Sequence, residues 1–342
     1  MNALIMLALL AQSPVVTAWP GQQPQLAGDG RRVFLTFVRD GAIVVLRSAD
    51  RGRTFGEASP IRPAGKIAVG NHRGPRIAVT DQAVVVTAIV GEQGGGKDGD
   101  IVAYRSTDEG RSWSPATVLN SVPGSAREGL HAAAANAGGL VAAVWLDLRH
   151  TGTRIFAAVS RDGADTWTHD AEVYASPSGS VCECCHPSAV VSADGRVGVM
   201  FRNQVEGHRD MFLAWSQDGR SFRPASKLGE GTWLLRACPM DGGGVAMAGA
   251  DAITTWRRED AIFLAAPSAP ERRIGDGRDP AIAVYGRTVE AAWTTDGAVT
   301  FARGDERTTI GPGRFPALLA LGDRTLLAWE HDGSVHVRVV NR

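Results

Sequence analysis

Four cysteines hold the most distinctive chemistry in this 342-residue sequence. Cys182, Cys184 and Cys185 stand together in Val-Cys-Glu-Cys-Cys-His-Pro, and Cys238 stands in Ala-Cys-Pro-Met-Asp. Three chemistries are open to sulfur in that pattern. One is a disulfide between Cys238 and a member of the 182–185 group, which suits an oxidising compartment; a bond between the neighbours Cys184 and Cys185 would be strained. The second is a thiolate metal site with His186 and Met240 adjacent as further ligands, and soft sulfur donors favour Cu(I) or Zn(II). The third is a redox-active thiol pair. Cys-x-Cys-Cys is no zinc-finger spacing, so the pattern names a donor set and not a metal.

Something must bring the two cysteine groups together, and internal repeats supply it. Ser48-Ala-Asp50-Arg-Gly52-Arg-Thr54-Phe55 recurs as Ser106-Thr-Asp108-Glu-Gly110-Arg-Ser112-Trp113. A third copy, Ser160-Arg-Asp162-Gly163-Ala-Asp-Thr166-Trp167, moves the glycine, and a fourth, Ser216-Gln-Asp218-Gly219-Arg-Ser221-Phe222, is one residue shorter. The serines recur roughly every 55 residues, the length of one small supersecondary unit. Chemically the pattern is a hairpin turn. Asp caps backbone N–H groups, Gly takes the positive φ, the hydroxyls tie the loop, and the closing aromatic points inward to pack the hairpin.

A proline followed by an apolar run leads most units: Pro24, Pro75, Pro187, Pro239, Pro280 and Pro316, with His131 in the place of the third. A second apolar run follows each, from Val33–Val38 to Leu326–Trp329. Seven units of three or four strands predict an all-β fold, a seven-bladed β-propeller, which protects its sheet edges by closing into a ring. The alanine run 132–135 prefers helix by propensity, but the repeat register makes it a strand. The last unit lacks a fourth strand, which residues 15–19 would supply.

Adjacent blades place the starts of their innermost strands side by side at one mouth of the central channel. All four sulfurs therefore converge there. So do His72 and Arg73 before the second unit, Glu128 and His131 before the third, and Arg278 and Arg314 before the sixth and seventh. These six are the candidate ligand-binding groups, suited to a small-molecule, glycan or anionic partner.

The repeated turn resembles the Asp box of the sialidase superfamily, directly over residues 24–230. There the boxes lie in outer turns and are structural, so Asp50, Asp108, Asp162 and Asp218 identify the scaffold and not the chemistry. The resemblance implies a propeller of six blades, where the count here gives seven. It also implies an exo-α-sialidase-type glycoside hydrolase as an alternative function: three arginines gripping a carboxylate, a Tyr nucleophile with a Glu partner, and an Asp acid/base. Arg73, Arg278 and Arg314 fit the first requirement by position, and Pro75-Arg76-Ile77 comes nearest to the family's Arg-Ile-Pro element. Only Tyr104, Tyr174 and Tyr285 are available for the second.

Composition sets the outer bounds. Lys+Arg and Asp+Glu are both 36, so the formal charge is zero, against a nucleic-acid binder or a polybasic membrane-surface protein. Hydrophobic residues at 44% are too many for a disordered chain, and 41 Gly with 17 Pro suit short strands and tight turns. The apolar run Ala3 to Ala11 is too short to span a bilayer and the right length for a signal-peptide core. The expected organisation is a leader over 1–18 and one propeller domain over 19–342, extracytoplasmic, with no membrane span. Cleavage after Ala18 conflicts with the use of residues 15–19 as a strand.

Overall fold

Each proline-led run becomes the innermost strand of its own antiparallel sheet. The computed structural model describes residues 16–56, 59–94, 97–267 and 269–342. The inner strands are Gln22–Gly28, Arg76–Val79, His131–Ala135, Ser188–Val191, Gly243–Ala248, Arg278–Tyr285 and Arg314–Leu321. Seven separate sheets stand around one axis, so the molecule is an all-β, seven-bladed propeller. Consecutive inner strands touch all the way round, and the last meets the first.

The second strand of each blade is buried along nearly its whole length. Val33–Arg39 and Val141–Asp147 read as continuous apolar runs because a neighbouring blade covers each face. Inner strands carry smaller side chains because they converge on the axis. His131–Ala135 is accordingly a strand, and Ala132 and Ala133 line the channel.

Closure comes from the first described residues. Val16–Pro20 pairs antiparallel with Ser334–Asn341, Val16 opposite Arg338 and Pro20 opposite Ser334, as the outer strand of the seventh blade. Trp19 meets Phe55 edge-on at 5.7 Å between ring centroids. The apolar core of the expected leader, residues 3–11, lies outside the described residues. Cleavage after Ala18 and this closure exclude one another, because a chain starting at Trp19 keeps only two residues of the strand.

All four Asp boxes sit in turns after the third strand of their blades, on the face opposite the inner-strand starts. In each, the serine hydroxyl donates to the aspartate at 2.7–2.9 Å. In three, a Thr or Ser hydroxyl donates to the second carboxylate oxygen at 2.6–2.7 Å. The shorter fourth copy uses backbone N–H groups of Arg220 and Ser221, both at 2.8 Å. The closing aromatics pack into clusters shared by their own blade and the preceding one: Phe55 with the seventh, Trp113 with the first, Trp167 with the second and Phe222 with the third.

Two predictions follow from closure and from the boxes. A chain beginning at Trp19 should melt a few degrees below one beginning at Gln12, because three strand pairs are lost; equal melting temperatures would show that the outer strand does not close the ring. The boxes should also make the fold acid-sensitive. Hydroxyl and then backbone donors from Ser112 and Thr166 hold Asp108 and Asp162 down to about 2, backbone donors from Ser221 and Arg220 do so for Asp218, and in Asp50 the Thr54 donors outweigh burial. A depressed folded-state value stabilises above the unfolded value of 3.8 and is lost as pH falls toward 2. The urea midpoint should therefore fall between about pH 4 and pH 2, with a shallower slope in Asp108→Asn; an identical slope in that variant would count against the boxes.

Candidate functional site

Backbone geometry at the strand starts decides which side chains enter the mouth. Three inner strands begin with Gly-x-x-Pro: 21–24, 277–280 and 313–316. In each, pairing with the next strand slips by a bulge, and the residue before the proline is left-handed: Gln23, Asp279 and Phe315, with φ of 59°, 58° and 53°. The glycine is required, since a Cβ on Gly277 would lie 2.2 Å from the Thr294 carbonyl oxygen. This bulge aims the third residue at the axis. The motif is plain in the sequence, and reading it as a repeat would have singled out Asp279.

Sulfur gathers between the fourth and fifth blades. The Sγ atoms of Cys182, Cys184 and Cys185 lie within 4.8 Å of one another. Cys182 is 3.8 Å from Cys184 and 3.0 Å from Cys185. Cys238 comes from the next blade to lie beside Cys184, and all four are free thiols. Cys182 and Cys185 are buried, Cys184 is partly exposed and Cys238 is exposed. Hydrogen bonds from Cys184 and then Cys185, with the Arg202 and Arg209 charges behind them, hold the Cys182 thiol well below the usual range. Burial pushes Cys185 up, and burial followed by Cys184 pushes Cys238 up to about 11. One thiolate thus forms easily among protonated neighbours, and a bound cation would be needed to ionise the rest.

Arg202 joins these two blades. It is 1% exposed, and its guanidinium donates only to carbonyls: Asp241 at 3.0 Å, Arg209 at 2.7 Å and Arg257 at 2.9 Å. Its own carbonyl accepts from the Cys182 N–H at 3.1 Å. Trp233 covers it, with ring-centroid distances of 5.3 Å to Arg202 and 5.4 Å to Arg257. The guanidinium therefore has no carboxylate as hydrogen-bond partner, and its charge acts on the Cys182 thiol.

Imidazoles and carboxylates collect over the channel. His72 Nε2 lies 2.8 Å from Asp279 Oδ1, its ring stacks on His186 at 4.3 Å, and the Phe315 ring meets it edge-on at 4.7 Å. The Asp279 N–H donates to Asp241 Oδ2 at 3.0 Å. His186 turns toward this cluster and lines the channel, so the tight group of sulfurs does not include it. Met240 lines a different cavity, of about 510 Å³, with Arg278, Asp279, Arg314, Phe315 and Glu330. Arg278 and Arg314 are about half exposed there, and Arg314 donates to Glu330 at 2.9 Å.

The remaining candidates lie apart. Arg73 turns to the third blade, donating to the Glu128 carbonyl at 2.6 Å, with its guanidinium 4.0 Å from the Glu128 carboxylate. His131 is fully buried, 3.1 Å from the Thr87 hydroxyl, and burial followed by Arg76 pushes its pKa down to about 3, leaving it neutral and structural. Arg73, Arg278 and Arg314 consequently do not converge on one anion. The tyrosines are elsewhere too: Tyr104 is in a blade core, Tyr174 is on an outer strand with its hydroxyl accepting from Asn203, and Tyr285 ends an inner strand away from the mouth. Asp241 carried no sequence signal beyond its place after Cys238-Pro-Met.

Residues 71–230 match the family model described as a BNR repeat-like domain. That stretch carries the BNR-type repeats, and the fold around it is a β-propeller. Among solved structures, the α-L-arabinanase of Penicillium chrysogenum complexed with arabinobiose is 14% identical, with a TM-score of 0.54 over 94% of this chain and 93% of that one. A polysaccharide lyase is 9% identical, with a TM-score of 0.56 over 94% and 90% of the two chains. The NanB sialidase of Streptococcus pneumoniae is 12% identical, with a TM-score of 0.52 over 94% and 68%. At such identities the likeness is one of fold. No curated protein matches the sequence. Propellers of similar fold thus carry more than one carbohydrate chemistry, and the mouth of this chain has to be read from its own residues.

Replacing Arg202 by leucine should cost roughly 3 kcal/mol in urea unfolding, since three buried carbonyls lose their donor. A loss within a few tenths of a kcal/mol, as at a surface position, would show that Arg202 does not join the blades.

Proposed function

We propose that this propeller is an exported soft-metal-binding protein, with Cys182, Cys184 and Cys185 as thiolate ligands to Cu(I) or Zn(II) and Cys238 as the fourth donor. The observation that carries the reading is three free thiols within 4.8 Å of one another on one loop, with a fourth arriving from the adjacent blade. Soft sulfur donors prefer these ions. Arg202 and Arg209 offset part of the negative charge that three thiolates would bring. The loop is short and its neighbours are rigid sheets, so the donors are largely preorganised. Among the described residues no helix is long and apolar enough to cross a membrane. An extracytoplasmic place rests on the leader, which this reading has removed upstream of Val16.

A second reading is a glycan or other anionic small molecule in the cavity of about 510 Å³. The half-exposed Arg278 and Arg314 beside Phe315 favour it. Fold-level likeness to the arabinobiose complex is compatible with it. Its sialidase form lacks support from the tyrosines and from Arg73, which lie outside that cavity.

Elemental analysis with thiol titration on anaerobically purified protein tests the metal. The expected result is one copper or zinc per chain, with metal lost from Cys184→Ser and the affinity of Cys238→Ser lowered roughly tenfold or more. A non-reducing mass in which all four sulfurs are paired, with no metal taken up after reduction, would overturn the proposal.

A further inference from the structure

A second cluster of donors stands at the head of the channel, chemically unlike the first. The ring nitrogen of His72 and carboxylate oxygens of Asp241 and Asp279 lie within 4.8 Å of one another. They come from the second, fifth and sixth blades, so only the closed ring assembles them. Asp241 is fully buried and Asp279 is 3% exposed. Two buried carboxylates side by side repel one another unless a cation lies between them. Beyond His72 itself, no guanidinium among the described residues bridges the two carboxylates. Arg202 spends its donors on carbonyls, Arg257 stands 4.0 Å from Asp241, and Arg278 reaches Asp279 only at 3.6 Å.

One atom points to what is missing. Asp241 Oδ1 is buried and has no hydrogen-bond partner, while Oδ2 takes the Asp279 N–H. A buried carboxylate oxygen without a donor is costly. The cluster is otherwise held in place: His72 is left-handed at φ 66°, its carbonyl accepts from Arg76, and His186 and Phe315 pack on its ring. Asp279 lines both the cavity of about 510 Å³ and the channel of about 190 Å³ below it, which gives an ion its approach.

We propose that His72, Asp241 and Asp279 form a second metal site, for a harder divalent first-row cation such as Mn²⁺. One imidazole and two carboxylates are the donors such ions take, and they are unlike the thiolate set. On binding, the Nε2 proton of the His72–Asp279 hydrogen bond is given up to water, His72 keeping its remaining proton on Nδ1, and Nε2 and the Asp279 carboxylate each form a coordinate bond. Asp241 Oδ1 supplies the third. The site does not rest on the cysteines, and either site stands if the other fails.

Mn²⁺ separates the two, because it has little affinity for thiolates beside oxygen and imidazole donors. Titration of the intact chain with Mn²⁺, followed by loss of the free-ion electron paramagnetic resonance signal, should show one ion bound per chain. Asp241→Asn should weaken binding roughly tenfold or more, while Cys184→Ser leaves it unchanged. If Asp241→Asn does not fold, His72→Gln carries the same expectation. No bound Mn²⁺, equal binding by the folded Asp241 or His72 variant, or loss of binding in Cys184→Ser would overturn the site.

Discussion

Wedge-shaped sheets pack face to face around an axis only when the ring is closed, and here the N-terminal strand Val16–Pro20 closes it on Ser334–Asn341. Without that pairing Ser334–Asn341 would be left as an open edge of the seventh blade. Closure also explains why chemistry collects at the mouth. His72 meets Asp279 across 207 residues of sequence, and Gln23 donates to Glu330 across 307. No local propensity brings such residues together; the circular order of blades does.

The mouth divides by element type and therefore by chemistry. Sulfur lies between the fourth and fifth blades, where Arg202 anchors one blade to the next. Nitrogen and oxygen donors sit over the channel, contributed by the second, fifth and sixth blades. Guanidinium groups rim the cavity of the sixth and seventh. Thiols and imidazole–carboxylate groups thus form separate sets on one rigid frame, and neither set needs a moving part to form. The Asp boxes, on the opposite face, contribute nothing to this chemistry and much to the wedge between blades.

The scaffold was legible because its signals are local. The Ser-x-Asp turn is made by hydrogen bonds within five residues, and continuous apolar runs such as 141–147 mark strands covered on both faces. Convergence of the cysteines followed from the blade count alone. Side-chain direction was not legible. His186 adjoins Cys185 in sequence yet turns to His72, and Arg73 turns to the Glu128 main chain instead of the axis. Those directions depend on left-handed residues and bulges at the strand starts, which a reading of residue types passes over. Asp241 follows the left-handed Met240 and carries no signal of its own, and His131, expected at the mouth, is held in the blade core beside Thr87. The aromatics of the boxes also reach the blade one repeat earlier, a contact that the turn pattern alone does not contain.

The most direct measurement is X-ray absorption at the K-edge of the metal held by the intact chain. The account predicts a first shell of three or four sulfur atoms at about 2.3 Å. A first shell of nitrogen and oxygen alone would contradict the claim that the thiols of the fourth and fifth blades hold the ion.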